Sequence, residues 1–321
     1  FLWLFFSGWS YLGTLGRTEW GTIPGSYCNG TYQSPIDIIT NIAVPTDLGT
    51  FVLDDYTAAN PNLDMDNNGH GITVRLHDDL QHLYNLSGGG LPTTYTATQF
   101  HFHWGSVNTQ GSEHTVDGTS YPAELHMVHY DKSRYSDVVA ALTSLEWNAV
   151  AALGAFIEIG EDNNPAFDNF IAYFDQIANY SSGNTSLGVG NLPSFSIRSV
   201  FPFDLSRFYR YNGSLTIPNC YESVIWTVFE ETIKISQEQL DKFRTVYGDQ
   251  KDVNGTDLPI VDNYRLTNPL FDRTIYYSRP SAPVGGGTTP SPGDGGGAVT
   301  ISPMRALLLI ALALQMLFNR F

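Results

Sequence analysis

The sequence is poor in cysteine, in basic residues and in long apolar runs. Only two cysteines, Cys28 and Cys220, occur among 321 residues, which allows one disulfide or two free thiols. Lysine and arginine total 16 against 32 acidic residues, for a net charge of −16, so nucleic acid would be repelled. Such acidity is typical of a solvated, soluble surface; a role in attracting calcium or mineral is compatible with it, but no segment locates one. The apolar content of 42% is that of a globular chain with a sizeable core.

The N-terminal residues and six sequons spread along the chain predict the secretory pathway. Residues 1–6 are apolar and are followed by the small residues Ser7 and Gly8, which predicts that residues 1–8 are the remnant of a signal peptide. Six N-x-Ser/Thr sequons are candidates for glycosylation, at Asn29, Asn85, Asn179, Asn184, Asn212 and Asn254.

The composition changes near the C-terminus. Residues 281–305 are rich in Gly, Pro, Ser and Thr, which predicts a flexible linker and spacer. Residues 306–321 form a mostly apolar tail, too short for a membrane-spanning helix of about 20 residues. These segments follow the order of a GPI-attachment signal, whose tail is removed: a linker, small residues from Asp294, a spacer and an apolar tail. The alternative for the tail is a short amphipathic or buried helix. We therefore predict a GPI anchor, with Asp294 as candidate attachment residue, on the extracellular face of the plasma membrane.

The residues between these ends alternate mainly as strands do. Segments 98–104, 123–130, 154–159 and 223–235 are short, apolar or alternating, and bounded by polar residues or turn formers. Two helices are predicted as well. One follows the cap Asn164 and Pro165, with apolar residues at helical spacing as far as residue 177. The other follows a Ser236–Gln239 capping box and ends at Gly248. We predict a mainly β protein with a few short helices (α+β). Residues 9–280 would form one domain on a large, twisted, mostly antiparallel central sheet of about ten strands.

Three histidines are spaced to bind a metal. On a strand, Gln99, His101 and His103 share one face, while the aromatic residues between them share the other. Glu124 and His126 likewise share one face of a second strand. Three neutral imidazoles leave a fourth tetrahedral position for water, as a catalytic zinc site requires, and Gln99 and Glu124 are placed to accept the other ring N–H. The alternative for a bare H-x-H motif is a pair of satisfied sheet histidines.

Several segments match a known family in order along the chain. They are residues 33–38 (QSPIDI), 67–70 (NNGH), 99–105 (QFHFHWG), 111–118 (GSEHTVDG), 123–129 (AELHMVH), 213–216 (GSLT) and 261–265 (VDNYR), together with Trp9, Tyr11, Gly16 and Trp20. These segments resemble the α-class carbonic anhydrases, and the resemblance covers essentially all of residues 9–280. It implies a zinc enzyme that hydrates carbon dioxide reversibly to bicarbonate and a proton.

The resemblance also implies roles for individual residues. His101, His103 and His126 would ligate one zinc ion, oriented by Gln99, by the backbone of Asn263 and by Glu124. Zinc lowers the pKa of bound water from about 16 to about 7, and the resulting hydroxide attacks carbon dioxide. Glu113 would accept a hydrogen bond from Thr216, which then orients that hydroxide. His70 would shuttle the proton outwards, beside the water-ordering Tyr11 and Asn68.

An apolar pocket for carbon dioxide is implied as well, lined by Val128, Ala152, Leu215, Val224 and Trp226. Ile217 departs from the family, which most often has a second threonine or a histidine there, so a hydrogen bond is lost and the pocket is narrowed. Cys28 and Cys220 match the single disulfide of the secreted and membrane-bound members. His114 and His129 resemble buried structural histidines, and His77 and His82 match no functional position. The expected partners are the small substrate and, through the anchor, a membrane; we expect a monomer.

Three other functions share part of this sequence pattern. A related domain without catalysis would typically lack one of the zinc histidines, and all three are present. A cupin-type metal oxygenase also uses H-x-H on a strand, but its glutamate ligand follows about five residues later, whereas Glu113 lies ten beyond His103. A role in an acidic extracellular matrix is compatible with catalysis.

Overall fold

The computed structural model describes residues 8–13, 15–60, 62–77, 83–180 and 185–279. The predicted signal remnant (except Gly8), the linker and spacer with Asp294, the tail, and also Asn184 and His82 lie outside the described residues. No helix within the described part of the chain is long and apolar enough to cross a membrane.

Strands dominate the described chain. In order they are β1 (Asp37–Ile38), β2 (Val44–Pro45), β3 (Phe51–Asp54), β4 (Ala59–Asn60), β5 (Leu63–Asn67), β6 (Ile72–Leu76), β7 (Asn85–Gly88), β8 (Tyr95–Trp104), β9 (Thr115–Val116), β10 (Ala123–Tyr130), β11 (Val150–Ile159), β12 (Thr185–Ser186), β13 (Phe195–Ser196), β14 (Phe208–Gly213), β15 (Val224–Phe229), β16 (Ile233–Ile235), β17 (Tyr247–Lys251), β18 (Asp257–Pro259) and β19 (Tyr276–Ser278). The α-helices are α1 (Val138–Thr143), α2 (Pro165–Ile171), α3 (Phe174–Ile177) and α4 (Gln237–Phe243), and short 3₁₀ turns lie at Trp20–Thr22, Thr40–Ile42 and Ile197–Val200.

One large sheet organises the molecule. Its main path runs β12-β5-β6-β8-β10-β11-β15-β14-β19-β2, with β3, β7 and β16 paired beside it. Most neighbours are antiparallel; β11 pairs in parallel with β15 and β16, and β19 with β2. The predicted mainly β fold with a large, mostly antiparallel sheet of about ten strands is confirmed.

The predicted helices are shorter in the structure. Asn164 caps α2 as expected, but Tyr173 donates its N–H to Phe170, a 3₁₀-type bond that separates α2 from α3. The Ser236 capping box begins α4, yet the helix ends at Phe243 instead of continuing to Gly248. The Tyr247 N–H donates to the Ala178 carbonyl oxygen, and Tyr247 begins β17. Tertiary pairing overrides the helical spacing there.

The predicted strands are confirmed with changed bounds. The strand predicted over 123–130 matches β10, while β8 and β11 each begin a few residues earlier than expected. The segment 223–235 forms two strands, because Glu230 and Glu231 interrupt its apolar pattern. Glu231 accepts hydrogen bonds from the backbone of Phe203 and Asp204 instead of joining a strand.

Side chains alternate across β8 as its sequence predicts. Phe100, Phe102 and Trp104 are almost fully buried in the apolar cluster that also contains the inner faces of α2, α3 and α4. His101 and His103 therefore point to the opposite face of the sheet. Burial of the aromatic face fixes the strand on which the imidazoles are carried.

Candidate metal centre

Three imidazoles converge where β8 and β10 pair. His101 lies directly opposite His126 in the antiparallel register, and His103 lies opposite Glu124. The ring centroids are 5.0 Å apart for His101 and His103, 5.3 Å for His101 and His126, and 4.7 Å for His103 and His126. One ring nitrogen from each histidine lies within 4.8 Å of the others. Because β10 is held between β8 and β11, the group is rigidly supported.

Each imidazole uses one nitrogen for a hydrogen bond and leaves the other free for a metal. Nδ1 of His101 is 2.9 Å from Oε1 of Gln99, and Nδ1 of His103 is 2.7 Å from the Asn263 carbonyl oxygen. Since these oxygens accept, the Nδ1 atoms carry the protons and the Nε2 atoms bear the lone pairs. Nε2 of His103 is fully buried and has no hydrogen-bond partner among the described residues. A buried lone pair without a partner is what a metal ligand requires before the ion binds.

His126 differs from the other two histidines, because it uses Nε2 and not Nδ1 for its hydrogen bond. Its Nε2 lies 2.7 Å from Oε1 of Glu124, which leaves Nδ1 free for a metal. Burial lowers the pKa of His101 well below its ordinary value, lowers that of His103 to about 3 and lowers that of His126. All three rings are therefore neutral at pH 7, the state that binds zinc.

A second group of potential ligands, His114, Glu124 and His126, is already satisfied. Oε1 of Glu124 lies 2.6 Å from Nδ1 of His114 as well as 2.7 Å from His126, and Oε2 accepts the backbone N–H groups of Glu113 and His114 at 2.8 Å each. Nε2 of His114 is 2.7 Å from the Tyr211 hydroxyl. Burial raises the pKa of Glu124, but His114 and His126 outweigh it and bring that pKa well below the ordinary value. The site with free lone pairs is therefore the three-histidine site.

Glu113 and Thr216 lie beside that site. Oε2 of Glu113 is 3.5 Å from Nε2 of His103, and Oε1 accepts the Arg265 backbone N–H at 2.7 Å. Burial raises the pKa of Glu113 well above its ordinary value, while hydrogen bonds from the Thr216 hydroxyl and from Arg265 oppose that rise. A divalent cation held by the three histidines would favour the carboxylate as well. The Glu113 carboxylate can thus accept a hydrogen bond from the Thr216 hydroxyl. The lone pairs of the Thr216 oxygen then remain free to accept a hydrogen bond in the site.

An apolar pocket of about 50 Å³ adjoins His101, His126 and Thr216. All six predicted pocket residues line it: Val128, Ala152, Leu215, Ile217, Val224 and Trp226. Sequence reasoning missed four further apolar or weakly polar wall residues, Thr98, Val138, Leu142 and Val150. Val150 lies two residues before Ala152 on β11, so extending that alternation would have found it. Alternation on β8 instead places Thr98 with Phe100 on the other face, and Thr98 lies where the register between β8 and β10 shifts.

A wider cleft of about 280 Å³ leads from the histidines to solvent, and His70 lines its wall. The His70 ring stacks on Trp9 at a centroid distance of 4.0 Å, and Nε2 of His70 lies 3.8 Å from Oδ2 of Asp249. Oδ1 of Asn68 accepts the backbone N–H groups of His70 and Gly71, which fixes the turn. Tyr11 is buried and lines the same cleft. Burial raises its pKa well above the ordinary value.

The disulfide between Cys28 and Cys220 is present. It lies in a cluster with Trp9, Trp20 and Tyr11, against which Ile217 packs. Among the sequons, Asn29, Asn179, Asn212 and Asn254 are exposed, whereas Asn85 is partly buried on β7 and accepts a hydrogen bond from Thr96.

The comparisons with known proteins agree with this geometry. The family model for eukaryotic-type carbonic anhydrase matches residues 15–279. Carbonic anhydrase 12 of Homo sapiens is 35% identical over 276 residues, which cover 85% of this chain and 73% of that protein.

Proposed function

The chain belongs to the family of eukaryotic-type carbonic anhydrases, and on that premise we propose how its residues divide the work of hydrating carbon dioxide. As a member it is a zinc enzyme that interconverts carbon dioxide and bicarbonate. His101, His103 and His126 hold the ion in this proposal. The observation that carries it is the set of three neutral imidazoles whose free nitrogens lie within 4.8 Å of one another. A zinc ion held by three imidazoles supplies hydroxide at neutral pH, because it lowers the pKa of water to about 7.

Thr216 and Glu113 orient the nucleophile. The Thr216 hydroxyl donates to Glu113, so it can only accept a hydrogen bond from an attacking hydroxide. With that constraint, Thr216 would orient a hydroxide so that its lone pair faces the substrate carbon. The proposal is supported by the Arg265 N–H, which donates to Oε1 of Glu113 and helps to fix the carboxylate.

The apolar pocket holds carbon dioxide beside Thr216. Its walls are almost wholly hydrocarbon, which suits a small substrate without charge and favours release of charged bicarbonate. Ile217 closes the side where the family most often has a hydroxyl or an imidazole. Its packing against the disulfide cluster supports a pocket entrance that is narrower and excludes more water than an entrance with a hydroxyl or an imidazole there.

His70 carries the released proton towards solvent. Its ring lines the cleft, and a histidine titrates near the pKa of the water that must be deprotonated. Burial lowers the pKa of His70 and Asp249 opposes that shift. Tyr11 and Asn68 lie in the same cleft wall and are placed to order the intervening waters.

The disulfide favours an extracellular or secretory-pathway protein. We further propose a GPI anchor at Asp294, glycans on exposed sequons and a monomeric state. Phosphatidylinositol-specific phospholipase C should release the protein from cells that express the full chain. Retention of Phe321 in the mature protein would contradict the anchor.

Stopped-flow hydration by the purified zinc-loaded domain tests the catalytic proposal. We expect saturable hydration of carbon dioxide, with kcat/KM rising between about pH 6 and 8 as hydroxide forms. A zinc-loaded domain that is no faster than buffer would instead support a catalytically weak binding or matrix protein.

A further inference from the structure

Asp249 is a charged residue that lies beside the His70 ring. Its Oδ2 lies 3.8 Å from Nε2 of His70, and both side chains are only partly exposed, at 35% and 21%. The sequence separates the two residues by 179 positions, and no family segment quoted above includes Asp249. The carboxylate is not needed to hold the turn, because the His70 and Gly71 backbone N–H groups are satisfied by Asn68.

The backbone holds Asp249 against the His70 turn. The Asp249 N–H donates to the Gly69 carbonyl oxygen at 3.1 Å. The neighbouring Gly248 packs so closely that an added Cβ would lie 2.5 Å from the same oxygen. Nδ2 of Asn67 donates to the carbonyl oxygens of Ile177 and Tyr247, which ties the turn to the start of β17. The carboxylate is therefore positioned by the fold.

The His70 imidazole has an aromatic ring stacked on one face and a carboxylate near its Nε2. Trp9 stacks on one face at 4.0 Å with an interplanar angle of 20°, and the Tyr11 ring centroid lies 6.5 Å away. Arg75 and Tyr180 also line the cleft, but Arg75 is paired with Asp66. Among the described residues, Asp249 is the charged group within ion-pairing distance of the ring. An aromatic stack fixes the plane of the ring, and a carboxylate near Nε2 fixes where positive charge is stabilised.

We propose that Asp249 is a positioning residue for proton transfer, which holds the His70 imidazole against Trp9 and stabilises its protonated form. This inference rests on the proposed shuttle role of His70. The proton arrives on the free nitrogen of the neutral ring, the ring becomes imidazolium beside the carboxylate, and a proton leaves to water or buffer. Burial lowers the pKa of His70, and the Asp249 charge opposes this effect. Without the carboxylate the ring would be a poorer proton acceptor.

The test is stopped-flow hydration by the zinc-loaded enzyme in dilute, weakly accepting buffer. Asp249→Asn should lower kcat by about three- to tenfold and move the acidic limb of the kcat profile to lower pH, while kcat/KM stays unchanged. Asp249→Glu, which keeps the charge, should recover most of kcat. Asp162→Asn removes an exposed carboxylate elsewhere on the surface and should leave the profile unchanged.

The pairing is tested by the double variant. In a His70→Ala background, Asp249→Asn should have no further effect on kcat, because the group it serves is gone. An NMR titration of the His70 ring should show its pKa fall in Asp249→Asn. Unchanged kcat and an unchanged His70 titration in Asp249→Asn would overturn the inference. If His70→Ala itself leaves kcat unaltered in dilute buffer, the proposed shuttle is wrong, and this result differs from a failure of Asp249 alone.

Discussion

The carboxylate of Glu124 lies 2.7 Å from Nε2 of His126 and fixes which nitrogen of that ring faces the metal centre. The same carboxylate contacts His114 and two backbone N–H groups, so its own orientation is held from three sides. The tautomer of His126 is thus set by a group that is itself immobilised.

Glu124→Gln should therefore weaken zinc binding by about 10- to 100-fold, because a neutral amide is a weaker acceptor for the His126 N–H. Competition with a chromophoric chelator measures the change. Glu158→Gln, a substitution on β11 at a carboxylate that pairs with Lys234, is the matched control and should bind zinc normally. Equal zinc affinity in both variants would contradict the role given to Glu124.

Thr216→Ala should lower kcat/KM by about 100-fold with zinc content unchanged, since the attacking group loses its orienting acceptor. Thr216→Ser keeps the hydroxyl and should retain most of the activity. Stopped-flow hydration distinguishes the two variants, and a fully active Thr216→Ala enzyme would refute the orienting role.

How much of this site the sequence predicts depends on the range of the contact. Alternation on β8 and β10 is a local property, so the shared face of His101 and His103 followed from the two-residue period. The backbone acceptor Asn263 was available only through family resemblance, because it is 160 residues from His103. Asp249 could not be found, since β17 begins where helical spacing was expected to continue. Contacts made by tertiary pairing have no local signal.

The fold shows the same division. The capping box at Ser236 predicted where α4 begins, because capping is decided by a few neighbouring residues. The end of α4 depends on the hydrogen bond from the Tyr247 N–H to the carbonyl oxygen of Ala178, about 70 residues earlier in the chain. The Ala172–Tyr173 break between α2 and α3 is equally invisible in the apolar spacing, since Phe174 still reaches the same core.

A buried histidine outside the metal centre should make stability depend on pH. His129 contacts the Tyr56 hydroxyl and the Ala151 carbonyl oxygen, and burial lowers its pKa from 6.5 to about 4. Because the unfolded chain takes up this proton first, stability is lost as pH falls from about 6.5 towards 4. At pH 5 the loss due to His129 is roughly 2 kcal/mol.

Urea unfolding at pH 7 and pH 5 tests this expectation. His129→Gln keeps a donor and an acceptor without the titrating group, so its stability should fall less between the two pH values than that of the wild type. Both proteins carry the same zinc histidines, so their common acid sensitivity cancels in the comparison. An equal fall in the two proteins would exclude His129 as the source.

The disulfide should contribute strongly to stability. It joins residues 192 positions apart, for which the chain-entropy model gives about 5 kcal/mol. Replacing Cys28 and Cys220 together by serine should lower the free energy of unfolding by that order, measured by urea unfolding under non-reducing conditions. A loss below about 1 kcal/mol would show that the bridge adds little to the folded state.

The central claim is that His101, His103 and His126 hold one zinc ion that catalysis requires. Zinc content and hydration rate, measured together on the wild type and on His126→Ala, test it most directly, with His77→Ala as a control outside the site. We expect about one zinc per chain and full activity in the wild type and in His77→Ala. His126→Ala should lose most of its zinc and nearly all of its activity. Full hydration activity in metal-free protein, or in a zinc-depleted His126→Ala variant, would contradict the account.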